Sequence, residues 1–127
     1  MAAKIRTVLI VDDHVWTRRL MKEVLKDRGY EVVEAGDCGD ALDLLDTLLI
    51  DVIVTDIIMP GDIEGMEFIA TVRERNPDVP IIAISAGGSS DRDGYLETAM
   101  ALGASATVAK PFEPEDLIAP IDALAEG

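Results

Sequence analysis

Short apolar runs rich in β-branched residues alternate along the chain with longer stretches whose apolar residues recur every three or four positions. Val8-Leu9-Ile10-Val11, Val32-Val33, Val52-Ile53-Val54, Ile81-Ile82-Ala83-Ile84 and Ala106-Thr107-Val108 read as five strands. Three of them are nearly continuous in apolar character, as parallel strands covered on both faces are. Amphipathic helices fall between and after them. The first carries Trp16, Leu20 and Val24 with Met21 and Leu25 beside them, and Gly29 closes it. The second is lined by Ala41, Leu42, Leu44, Leu45 and Leu48, and the third by Met66, Ile69, Ala70 and Val72, before Asn76-Pro77. Leu96, Ala99, Met100 and Leu102 line a fourth that Gly103 ends, and Pro114 opens a fifth with Leu117, Ile118, Ile121 and Leu124. Five strand–helix pairs predict an α/β fold: a doubly wound, five-stranded parallel sheet with five helices, because parallel strands require crossovers and those are right-handed. No internal repeat or linker interrupts the 127 residues, so residues 1–127 are expected to form one domain with no output domain.

Charge narrows the function. Twenty-five acids against 11 bases give a formal charge of -14. So negative a surface repels phosphate backbones and anionic lipid, which disfavours nucleic acid and membrane surfaces as direct partners. The single cysteine, Cys38, excludes an intramolecular disulfide. The apolar run from Val8 to Val11 is too short for a signal peptide or a membrane span, so a cytoplasmic location is expected.

In an open α/β sheet, ligands bind at the carboxyl ends of the strands. The first strand ends in Asp12-Asp13, the third in Asp56, the fourth in Ser85 and the fifth in Lys110. Three carboxylates, a hydroxyl and an ammonium are thus predicted to converge on one edge. Two carboxylates ~4 Å apart repel by about 1 kcal/mol in water and about 4 near a protein surface. One lysine does not balance three such charges, and an all-oxygen cluster suits Mg²⁺. A magnesium ion, a carboxylate, a lysine and a hydroxyl are the components of phosphoryl transfer.

The segments Val8-Leu9-Ile10-Val11-Asp12-Asp13, Val54-Thr55-Asp56-Ile57-Ile58-Met59-Pro60, Ile84-Ser85-Ala86, Gly103-Ala104 and Lys110-Pro111-Phe112 are each short. In their order and spacing the chain resembles the response-regulator receiver domain, of flavodoxin-like fold, from Thr7 to Leu124. That resemblance implies that Asp56 accepts a phosphoryl group from a histidine kinase or a histidine phosphotransfer protein. It implies Asp12, Asp13 and Asp56 as magnesium ligands, with the backbone carbonyl of Ile58 as a further one. Ser85 would bond a phosphoryl oxygen, Lys110 would pair with the phosphoryl group, and the Lys110–Pro111 bond would be cis. The protein would then be a stand-alone response regulator of a two-component phosphorelay, acting through altered contacts with a downstream protein that the sequence does not identify. It would assist its own phosphorylation and dephosphorylation without being an enzyme in the ordinary sense. An aromatic residue usually lies three positions before the lysine in this family; here that position is Thr107, so the aromatic part of the switch is expected to be weak. The segment Gly61 to Gly65 is one residue longer than usual, and about three extra residues fall in Gly87 to Gly94.

The competing reading is a Mg²⁺-dependent aspartyl phosphohydrolase of small phosphate esters, but the D-x-D-x-[TV] pattern is missing after the first strand. A flavodoxin-type cofactor site is disfavoured because Asp12-Asp13 would repel a cofactor phosphate. Gly87-Gly88-Ser89-Ser90 lacks the ending of a P-loop. His14 reads as a loop residue flanking the acidic pair rather than a metal ligand or a relay histidine. Trp16 reads as core packing or half-exposed surface, and Cys38 as a small buried hydrophobe.

Overall fold

The computed structural model describes residues 7–57, 65–85, 99–109 and 113–126, with the side chains of residues 65, 66, 85, 109, 125 and 126 outside that description. Strands β1 (Thr7–Val11), β2 (Glu31–Ala35), β3 (Val52–Asp56), β4 (Ile81–Ser85) and β5 (Ala106–Ala109) form one parallel sheet in the order β2-β1-β3-β4-β5. Helices α1 (Val15–Asp27), α2 (Cys38–Thr47), α3 (Gly65–Arg75) and α5 (Pro114–Glu126) belong to the crossovers and the carboxyl end, and residues 99–102 form a helical turn, α4. The predicted α/β architecture is therefore the observed one.

Strand side chains alternate between the two faces of the sheet, and both faces are covered. Val8, Ile10, Val52, Val54, Ile82 and Ile84 pack with Met21 and Leu25 of α1 and with Leu117, Ile118 and Ile121 of α5. Leu9, Val11, Ile53, Ile81 and Ala83 pack with Ala41 and Leu42 of α2, with Phe68, Ile69 and Val72 of α3, and with Ala99. Each fully buried aliphatic side chain contributes about 1.5–3 kcal/mol, so these two layers hold the strand ends in place.

Two glycines stop helices through left-handed backbone. Gly29 (φ 92°) follows α1, where the Gly29 N–H donates to the Lys26 carbonyl and the Tyr30 N–H to that of Leu25. Gly103 (φ 120°) repeats the pattern after α4, with bonds to Met100 and Ala99. Both are Schellman endings that only glycine adopts cheaply. At Gly103 an added Cβ would also meet the Arg73 side chain at 2.8 Å, while Arg73 Nε donates to the Gly103 carbonyl at 2.9 Å.

The helix faces differ from expectation in two places. Trp16 is 80% exposed and Leu20 59%, so neither belongs to the core stripe of α1. Trp16 stands nine residues before the buried Leu25, and nine steps of about 100° place it on the opposite side of the helix. In α3, Phe68 is fully buried and is the largest buried side chain near that face, a position the sequence pattern did not single out. Cys38 is buried as expected. Burial and the neighbouring Asp37 charge push its thiol up to about 11, which makes it inert.

Candidate functional site

The strand order reverses direction at β1, since β2 lies on one side of it and β3 on the other. The crevice at the carboxyl ends of β1 and β3 is therefore the switch point where α/β sheets bind ligands. The register pairs Val11 with Thr55, which brings the residues after β1 beside the last residue of β3. Asp12 is fully buried and Asp56 is 3% exposed, so two carboxylates sit inside the edge rather than on a solvated loop. The Asp12 N–H donates to the Ala35 carbonyl at 3.1 Å and the Ile57 N–H to the Ile84 carbonyl at 2.9 Å, so both acids are held by the sheet's own ladder. Buried Thr55 donates its hydroxyl to the Asp56 carbonyl at 3.0 Å.

Ligand atoms of Asp12, Asp13, His14 and Asp56 lie within 4.8 Å of one another. Asp13, with 26% of its side chain exposed, is the open member, and His14 is the outermost at 67%. The His14 N–H donates to Asp12 Oδ1 at 2.8 Å and turns the chain into α1. Among the described residues, buried Asp13 Oδ1 accepts no well-formed hydrogen bond, although His14 Nδ1 lies 3.3 Å away. Oxygen donors gathered at this density, with one buried oxygen lacking a donor, suit a hard divalent cation such as Mg²⁺. The donor set therefore fits the ion that its chemistry implies.

The structure brings Asp12, Asp13 and Asp56 together as the sequence predicts. Ser85 ends β4, its backbone paired with Ala109, but its side chain lies outside the described residues, as do Ile58, Lys110 and the segment Gly87 to Gly94. Thr107 is a half-buried residue of β5, opposite Ala83.

One contributor went unnoticed in the sequence. Arg18 donates from its Nη1 to the Asp12 carbonyl at 2.7 Å and from Nε to Glu34 Oε1 at 3.1 Å, while Lys22 Nζ reaches Glu34 Oε2 at 3.1 Å. Burial raises the Glu34 carboxyl, but the hydrogen bonds and charges of Lys22 and Arg18 outweigh it and hold the group below its ordinary value. The available signal was the four-residue spacing of Arg18 and Lys22 on the helix that follows the acidic pair.

Comparison with known proteins agrees with this geometry. Residues 8–122 match the model of the response regulator receiver domain. The chain is 41% identical over 118 residues to the probable transcriptional regulator ycf27 of Guillardia theta, covering 92% of this chain and 44% of that protein. It is 30% identical over 120 residues to the chemotaxis protein CheY of Listeria monocytogenes, covering 94% of this chain and 98% of that one. It thus spans about half the length of the regulator of transcription and nearly all of the chemotaxis protein. The solved structure of Vibrio cholerae chemotaxis protein CheY4 superposes with a TM-score of 0.83 at 32% identity, covering 94% of this chain and 98% of that one. A buried acidic crevice at the switch point, in a chain matched over almost its whole extent, makes this protein a member of the response regulator receiver domain family of two-component systems.

Proposed function

We propose that Asp56 is the phosphoacceptor of this receiver domain. One of its carboxylate oxygens attacks the phosphorus of a phosphohistidine on a histidine kinase or phosphotransfer protein. The phosphorus–nitrogen bond breaks, the imidazole leaves, and Asp56 carries an acyl phosphate. The observation that carries this reading is the burial of Asp56 within 4.8 Å of the ligand atoms of Asp12 and Asp13. A divalent cation held by Asp12, Asp13 and Asp56, with the Ile58 carbonyl as a further donor, supplies positive charge for the phosphoryl oxygens. Asp12 is fixed by the β1–β2 ladder and by Arg18 on its carbonyl, so the protein's part is positioning rather than covalent chemistry. Ser85, the last residue of β4, and Lys110, the next residue in sequence after β5, take the roles of hydroxyl donor to, and ammonium partner of, the phosphoryl group.

Val15, Trp16 and Leu20 leave an exposed apolar face on α1 directly beside the acidic pair, which suits docking of the donor protein. Output then runs through altered protein–protein contacts. With -14 net charge, this chain by itself is not expected to retard duplex DNA at physiological salt.

Intact-mass measurement after incubation with Mg²⁺ and acetyl phosphate tests the reading. The parent should gain one phosphoryl group, and Asp56→Asn or excess chelator should abolish the gain. Equal labelling of Asp56→Asn would refute the assignment.

A further inference from the structure

His14 is the only histidine of the chain. The sequence alone reads it as a bystander, yet its Nδ1 lies 3.4 Å from Asp12 Oδ1 and 3.3 Å from Asp13 Oδ1. Donors on adjacent corners around one ion, with bonds of about 2.1 Å, stand about 3 Å apart. The nitrogen therefore stands near donor-to-donor spacing from an oxygen of each of the two carboxylates, within a group whose ligand atoms all lie within 4.8 Å of one another. The turn does not depend on the ring, because the His14 backbone N–H makes the bond to Asp12 on its own. The ring is two-thirds exposed, so moving it a few tenths of an ångström toward an ion displaces only water.

We propose that His14 Nδ1 is an additional ligand at this centre for first-row transition-metal dications such as Zn²⁺ and Co²⁺, which the receiver's carboxylates alone would hold less tightly. Imidazole nitrogen suits those ions, whereas Mg²⁺ takes oxygen donors and keeps its waters. His14 thus tilts the metal preference of the site without touching its use of Mg²⁺. The inference rests on the reading of Asp12, Asp13 and Asp56 as a divalent-cation site. The alternative is an imidazolium that merely pairs with two carboxylates, and it predicts no such selectivity.

Calorimetric titration of the tag-free protein with Mg²⁺ and with Zn²⁺, at about pH 8 and so above the ordinary imidazole range, separates the two. His14→Ala keeps the backbone bond; it should weaken Zn²⁺ binding by about tenfold or more and leave Mg²⁺ binding within about twofold. Because there is one histidine, the imidazole ¹⁵N resonances assign themselves. Saturating Zn²⁺ should move the Nδ1 resonance strongly, and Mg²⁺ should not. An unmoved Nδ1 resonance, or an unchanged Zn²⁺ affinity in His14→Ala, overturns the role of His14 while leaving the cation site intact. Failure of the parent to bind Mg²⁺ overturns the cation site itself.

Discussion

Two carboxylate centres meet at Arg18, and they are built to opposite ends. Glu34 is one acid between two bases, with Arg18 Nε and Lys22 Nζ each 3.1 Å from its oxygens. Asp12, Asp13 and Asp56 are three acids gathered together, and the imidazole of His14 stands against the first two. Arg18 touches both centres, yet it gives its charge to Glu34 and only a hydrogen bond to the Asp12 carbonyl. The first centre is complete without a visitor and serves the architecture. The second gathers carboxylate oxygens in a buried crevice, the donor type that a divalent cation takes. A protein can hold such a cluster because the neighbouring centre fixes the backbone that carries it.

Breaking the bridge should have the largest effect. Arg18→Ala leaves the Asp12 carbonyl without that donor and removes one of the two bases at Glu34; a loss of about 2 kcal/mol is expected in chemical denaturation. Its Mg²⁺ affinity should fall as well, because the Asp12 turn loosens. If Arg18→Ala matches the parent in both, the two centres are independent.

Relieving the repulsion should come next. In Asp13→Asn the metal-free chain should become no less stable, while Mg²⁺ affinity falls about tenfold. Stabilisation by a fixed, high Mg²⁺ concentration then shrinks by about 1.4 kcal/mol. A parent melting temperature unaffected by millimolar Mg²⁺ would erase the contrast between the centres.

Glu34→Gln should cost about 1 kcal/mol near neutral pH. The folded pKa of Glu34 is depressed, so its contribution is fully present above the ordinary value of 4.5 and is lost as pH falls through the lower folded value. The stability difference between parent and Glu34→Gln should therefore be flat from neutral pH to about 5.5 and shrink below about 4.5. A difference that instead grows on acidification would mean that the pair destabilises the ionised form.

The smallest expected effect is spectroscopic. Beryllofluoride with Mg²⁺ should shift amide resonances around Asp12, Asp13 and Asp56 and leave Lys22 and Glu34 nearly unchanged. Only minor changes are expected around Thr107, which has no ring to swing and a stiff side chain. Large shifts centred on Thr107 would contradict that expectation.

Strands and their ends were legible because parallel, doubly covered strands must be largely apolar along their length, so the first charged residue marks the edge. Val11 to Asp12 is such a boundary, and Asp56 after Val54-Thr55 is another. Helix phase was less legible. Trp16, Leu20 and Val24 recur every four residues, but each such step drifts about 40° around the helix, so the series starts in solvent and reaches the edge of the core only at Val24. Trp16 ends up exposed while Met21 and Leu25 are buried. Phe68 was overlooked for a related reason: Met66, Ile69, Ala70 and Val72 suggested a stripe without it, and packing against the sheet selected Phe68, Ile69 and Val72.

By itself the sequence determined the α/β alternation, the glycine stops after α1 and α4, and the three aspartates at strand ends, because each depends on local pattern and backbone chemistry. Tertiary structure alone decided that Glu34 of β2 would meet Arg18 and Lys22 of α1, and that Arg18 would spend a second bond on the Asp12 carbonyl. It also decided that His14 would bring a nitrogen within 3.4 Å of two carboxylates. Those outcomes depend on the angle at which α1 leaves the sheet and on the rotamers that close packing permits, and neither quantity is written in the spacing of residue types.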